Sequence, residues 1–265
     1  MFVGRALERR KLREAILAHR SLLVCGPPGS GKTALLERTL ATLPTAVREK
    51  CLVSNADGSP KQIWTSLAGR LAEISDAEVT SRKEREAGLA VPFDRWLQRQ
   101  TSLRLRGILR RAMRSKPYWV VLEATTQLPA GVYRLLQEWM WSGRTPVILL
   151  ARGSSENDLG KVSRLFWHPG LRLELGPLQA GDLNALLEEC VERFHLQELA
   201  GRDFRDFLLE QCAGLPGRIV HLCELASRSV YQCSGRVKLH TLAVDFLMQI
   251  RGDPKVGTSR AHQNG

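Results

Sequence analysis

The sequence predicts an α/β fold, a parallel five-stranded sheet of the phosphate-loop NTPase type with an all-helical block after it. Three observations predict it. Short, wholly apolar runs alternate with helix-period stretches through the first 176 residues. A loop of the form G-x-x-x-x-G-K-[ST] follows the first apolar run and precedes a helical stretch. Beyond residue 176 only helix-period stretches remain. Strands that are apolar throughout, rather than alternating, are covered on both faces, which requires a parallel sheet with helical crossovers. The division that follows is an α/β core over 1–176, a helical block over 177–250 and a disordered tail over 251–265.

The elements follow in order. Ser21-Leu22-Leu23-Val24-Cys25 reads as the first buried strand. It runs into Gly26, Pro27, Pro28, Gly29, Ser30, Gly31, Lys32, Thr33 and Ala34, then a helix to Leu40. Glycines at 26, 29 and 31 let backbone N–H groups turn toward one phosphate. The helix that starts near Lys32 adds its positive end. Lys32 supplies a point charge to the β- and γ-phosphates, and Thr33 offers a hydroxyl to Mg²⁺. A nucleotide such as ATP is the predicted ligand. Cys51–Ser54 reads as a second strand with a helix over 60–74, and Tyr118–Glu123 as a third that ends in a carboxylate. A helix over 129–142, a strand at Pro146–Ala151 and a fifth at Leu171–Leu175 complete the core. Helices are predicted over 179–194, 203–213, 217–230 and 238–249, with Gly214-Leu215-Pro216-Gly217 separating two of them.

Composition narrows the possibilities. The 265 residues carry 39 Lys and Arg against 27 Asp and Glu, a net charge of +12, and 43% are hydrophobic. That balance excludes whole-chain disorder. No apolar run approaches the roughly 18–20 residues that span a bilayer, and the first residues show no apolar signal region. Cysteines at 25, 51, 190, 212, 223 and 233 lie far apart with no C-x-x-C pair, which suits reduced thiols. A cytoplasmic location is expected, with no membrane partner.

The charge is uneven. Residues 1–176 hold 29 basic and 16 acidic side chains, a net of +13, whereas 177–250 hold 7 and 10, a net of −3. Between 95 and 116 stand eight cations and no acid. On a helical wheel Leu97, Leu105, Ile108, Leu109, Ala112 and Met113 share one half. Arg99, Arg104, Arg106, Arg110, Arg111 and Arg114 occupy the other. Arginines at i,i+4 spacing repel by a few tenths of a kcal/mol per pair, which an anion would relieve. A sequence-blind nucleic-acid contact through Arg99, Arg106, Arg110 and Arg114 is one reading. An acidic protein surface or a solvated face is the other.

The phosphate loop at 26–33, the strand ending at Glu123 and the segment Gly214-Leu215-Pro216-Gly217-Arg218 together resemble the AAA+ ATPases. The opening Phe2-Val3-Gly4-Arg5-x-x-Glu8 is similar to the start of STAND, origin-recognition and transposition-associated ATPase modules. The resemblance covers about residues 1–250. It implies sheet order 5-1-4-3-2, ATP bound between core and lid, and assembly as a homo-oligomer or with a partner protein. It also implies two arginine roles. Arg164 matches the residue that reaches a neighbouring subunit's γ-phosphate, or is a surface residue. Arg218 matches the lid residue that senses the γ-phosphate, or pairs locally.

One departure bears on catalysis. The family ends its third core strand in Asp-Glu, where this chain has Glu123-Ala124. Glu123 still serves Mg²⁺ through water, or acts as the base. Ala124 takes no proton, and a base contributes roughly 10²–10⁴-fold, so hydrolysis is expected to be slow. Gln127 is a substitute for orienting water, and Arg152-Gly153-Ser154-Ser155 stands where the family often places a polar sensor. The leading expectation is an ATP-controlled switch or assembly factor acting on DNA with weak ATPase activity. The rival is a non-hydrolysing nucleotide-binding interaction module. A small-molecule kinase is disfavoured by the helical block.

Overall fold

The computed structural model describes residues 2–88, 90–124, 128–233 and 235–252. They form two compact units. One comprises Leu7–Gly26 and Leu36–Glu174, the other Met1–Ala6, Pro27–Leu35 and Leu175–Gly265.

The first unit is the α/β layer. Strands β1 (Leu22–Gly26), β2 (Cys51–Asn55), β3 (Trp119–Ala124), β4 (Val147–Arg152) and β5 (Arg172–Glu174) form one sheet in the order β2-β3-β4-β1-β5. That is the predicted order, and every pair in it is parallel. All five residues of β1 and the first five of β4 are buried, which is why neither strand alternates in polarity. The helices of this unit are α1 (Ala6–Leu17), α3 (Thr45–Arg48), α4 (Pro60–Glu73), α5 (Ala77–Ala87), α6 (Phe93–Arg99), α7 (Ser102–Ser115), α8 (Ala130–Ser142), α9 (Glu156–Leu159) and α10 (Val162–Leu165), while α2 (Lys32–Ala41) is divided between the units at Leu36. α4 starts with a full capping box, Ser59 to Gln62 and back, with Pro60 at its first position. The core joins Leu23, Trp64, Leu109, Val120, Trp139 and Phe166.

The arginine segment is two helices rather than one. Gln100 is extended and the Thr101 hydroxyl caps the amide of Arg104, so the chain stops and restarts. Leu97 and Arg99 therefore belong to α6. Leu105, Ile108, Leu109, Ala112 and Met113 are buried on α7 as the wheel requires. The anions facing α7 come from elsewhere in the chain. Arg104 pairs with Glu86 at 2.8 Å, Arg111 with Glu78 at 2.5 Å, Arg110 with Glu138, and Lys116 with Asp76 at 3.6 Å. Asp76, 1% exposed, also caps α5 and accepts from the Tyr118 hydroxyl at 2.5 Å. Arg106 and Arg114 have no hydrogen bond or ion pair among the described residues. The repulsion inferred from the segment alone is thus largely relieved within the protein.

The second unit is mainly helical: α11 (Ala180–Arg193), α12 (Arg202–Cys212), α13 (Pro216–Ala226) and α14 (Leu239–Gly252). The wholly helical expectation misses a short hairpin, β6 (Gln232–Cys233) with β7 (Arg236–Val237). Consequently α13 ends at Ala226 rather than near 230, and α14 runs to Gly252. The tail expected from 251 falls, beyond Gly252, outside the described residues. A separate apolar cluster including Leu186, Phe204, Leu208, Ile219, Leu222 and Phe246 holds this unit together. Cysteines 25, 51, 190, 212 and 223 are buried and all six are free thiols. No described helix is long and apolar enough to cross a membrane.

Candidate nucleotide site

The phosphate loop begins where β1 ends. Gly29 and Gly31 adopt φ of +80° and +88°, a region that side chains other than glycine's disfavour. Ser30 is almost wholly buried and its amide donates to the Pro27 carbonyl at 3.1 Å, closing the turn. The Lys32 ammonium folds back to the Pro27 carbonyl at 2.9 Å and the Ser30 hydroxyl at 3.3 Å. Thr33 is exposed in the first turn of α2. Among the described residues the amides of Gly29, Gly31, Thr33 and Ala34 have no acceptor. Four unsatisfied N–H groups, an ammonium and a helix amino terminus within six residues fit a polyphosphate. The Thr33 hydroxyl fits the hard, oxygen-seeking Mg²⁺ that accompanies it.

The unit that contains this loop also contains two segments bound to it. The amide of Gly217, in the first turn of α13, donates to the Gly29 carbonyl at 2.8 Å. A side-chain carbon on Gly217 would lie 2.8 Å from Gly29 Cα, so only glycine allows this approach. Arg218 follows in the same turn. It is half-buried, and its guanidinium has no hydrogen bond or ion pair among the described residues. The Arg5 guanidinium bonds the carbonyls of Gly176 and Ser30, the latter at 3.4 Å. Gly4, at φ +70°, leaves no room for a side chain against Asp182. The Val3-Gly4-Arg5 opening is thus a structural tie to the loop. Its resemblance was legible in the sequence, but its role was not, because Arg5 reaches Ser30 across 25 residues and Gly176 across 171.

In the α/β unit, Glu123 lies at the carboxyl end of β3, beside Leu150 of β4. Its carboxylate is half-buried with no hydrogen bond or ion pair among the described residues. Gly26 lies at the same end of the sheet, and its amide and carbonyl exchange hydrogen bonds with Gly153 at 3.2 and 3.0 Å. This reciprocal pair anchors the start of the loop. Within the segment that stands where the family often places a sensor, Ser155 caps α9, with Asp158 returning to it. Arg164 is exposed on α10, with no side-chain partner among the described residues. Gln127 lies outside the described residues.

A parallel sheet whose first strand feeds a glycine-rich loop and a helix amino terminus defines a P-loop nucleotide-binding protein. The family described as "AAA ATPase domain" matches residues 1–150. The chain belongs to that family. No curated protein matches it. Among solved structures it is similar to the Aeropyrum pernix Orc1 protein in complex with DNA, at 18% identity and a TM-score of 0.62, covering 96% of this chain and 69% of that one. It is also similar to a Walker-type ATPase of Pyrococcus abyssi, at 14% identity and 0.60, covering 95% and 73%. These likenesses establish the fold.

Proposed function

We propose that the protein is an ATP-binding AAA+ switch or assembly factor that hydrolyses ATP weakly and acts on nucleic acid. The observation that carries this reading is the Gly217–Gly29 hydrogen bond. It ties the amino terminus of α13, and with it Arg218, to the loop that takes the phosphates. A change at the γ-phosphate then has a direct route into the helical unit. Contacts made only in the triphosphate state shift the population of that unit, and their loss on hydrolysis reverses it. Lys32 and the four open amides hold the phosphates, Thr33 and Glu123 serve Mg²⁺, and Arg218 senses the γ-phosphate. Arg164 completes a contact with a neighbouring subunit. Bound Mg²⁺ neutralises phosphate charge as it develops.

Nucleic-acid contact is supported by the exposed Arg114 and the half-buried Arg106, neither with an ion pair among the described residues, and by a fold shared with a protein solved on DNA. The contact is sequence-blind, made to backbone phosphates. Ala124 in place of the usual acid favours a second reading, a module that binds nucleotide without turnover.

Steady-state phosphate release, with and without DNA, tests both. Turnover abolished by Lys32→Ala supports the switch. Bound nucleotide with no turnover in either condition supports the module. Absence of salt-sensitive DNA binding with ATP present would remove the nucleic-acid part, and binding that survives charge reversal at Arg106, Arg110 and Arg114 would remove the arginine surface from it.

A further inference from the structure

A second charged concavity lies in the α/β unit, away from the strand ends that carry Gly26 and Glu123. It encloses about 390 Å³ among the last turns of α7, the end of α8 and the turn that enters β4. These segments precede β3 and β4, so the cavity is at the amino ends of the strands. Arg110, Arg114 and Arg144 line it, with Met113, Glu138 and Trp139. Glu138 pairs with Arg110, which leaves a formal surplus of two positive charges. Arg114 and Arg144 are exposed and have no hydrogen bond or ion pair among the described residues.

Two further donors are buried without a partner: the Arg110 Nε and the indole Nε1 of Trp139. Trp139 is only 4% exposed, packed edge-on against Trp64 at 6.3 Å between ring centres. A buried N–H is ordinarily satisfied by protein or ordered water. Arg110 and Trp139 both line the cavity, and the two unpaired guanidiniums of Arg114 and Arg144, in a cavity of ligand size, call for an acceptor with more than one negative charge. A phosphate group meets that description; a single carboxylate would leave one positive charge uncompensated. Guanidinium forks also match phosphate oxygens in geometry.

We infer that this cavity is a phosphate-binding site, separate from the nucleotide loop, built by Arg110, Arg114 and Arg144 with Trp139 in its wall. The phosphate belongs either to a small phosphorylated ligand or to a nucleic-acid backbone. In the second case the site deepens the nucleic-acid reading above.

The test uses full-length Lys32→Ala protein labelled with 5-fluorotryptophan, so that phosphate does not report from the loop. The Trp139 resonance is assigned with Trp139→Phe. Pyrophosphate is expected to shift that resonance saturably, and Arg114→Ser with Arg144→Ser to raise the Kd at least tenfold. A thymidylate hexanucleotide that displaces pyrophosphate identifies the backbone as the source. Pyrophosphate binding untouched by the oligonucleotide identifies a free anion. An unmoved Trp139 resonance, or an unchanged Kd in the double variant, overturns the proposal. Arg106→Glu separates this site from the wider reading: it weakens oligonucleotide binding to the open face and leaves pyrophosphate binding intact.

Discussion

The amide of Gly217 reaches the carbonyl of Gly29 across 2.8 Å, bringing a helix amino terminus onto the backbone of the phosphate loop. The approach is close enough that an added Cβ would stand 3.1 Å from the Gly29 carbonyl oxygen as well as 2.8 Å from its Cα. Both neighbours are backbone, so neither yields as a flexible side chain would.

Gly217→Ala is therefore expected to act on ligand binding rather than on helix formation. Alanine is the better helix former by about 1 kcal/mol, so α13 itself gains. The displaced loop loses its alignment, at an overpacking cost of about 1–3 kcal/mol. ADP affinity is expected to fall on the order of tenfold while the far-ultraviolet circular dichroism stays unchanged. Calorimetric titration with ADP measures this, and an unaltered Kd would show that the loop tolerates the displacement.

Ala124→Glu restores an acid next to Glu123. If hydrolysis is slow for want of a base, steady-state phosphate release at saturating ATP rises on the order of 10²-fold. The gain should vanish when Lys32→Ala is added. An unchanged rate in the single variant would place the limiting step elsewhere.

His19 supplies a pH signature of stability. It follows α1 at φ +54° and lies tilted against Trp119 at 4.4 Å between ring centres. Burial, reinforced by the nearby Lys50 charge, holds its pKa below the ordinary 6.5. The unfolded chain then binds the proton more readily than the folded one, so stability rises with pH through this window. Below about pH 6.5 the melting temperature is expected to fall, and His19→Asn, which tolerates the left-handed backbone, should flatten the slope. An identical slope in the variant would assign the effect to other groups.

The difference between what could be read in advance and what could not follows the range of the interactions. Fully apolar strands, the loop spacing and the helical block are local patterns. They carried the α/β class, while the resemblance they supported carried the strand order. Short segments escaped because one or two turns, or two-residue strands, leave no periodicity: α9, α10 and the β6–β7 hairpin are of this kind. The split between α6 and α7 turned on a single threonine cap at 101, which the apolar wheel overrode.

The arginine row shows the same limit in energetic terms. Its charges were plain in the sequence, but their partners Glu78, Glu86 and Glu138 come from α5 and α8, up to 33 residues away. Glu138 could not be assigned to Arg110, nor Arg144 grouped with Arg114, before the helices were placed around the sheet.

By itself the sequence determined a nucleotide loop, its strand and its helix, because those chemical groups are consecutive along the chain. Tertiary structure alone decided that Arg5, Gly153 and Gly217 hold that loop, and which arginines remain open. Each of these depends on two backbones or charges meeting at hydrogen-bond distance across long stretches of chain, which residue spacing does not encode.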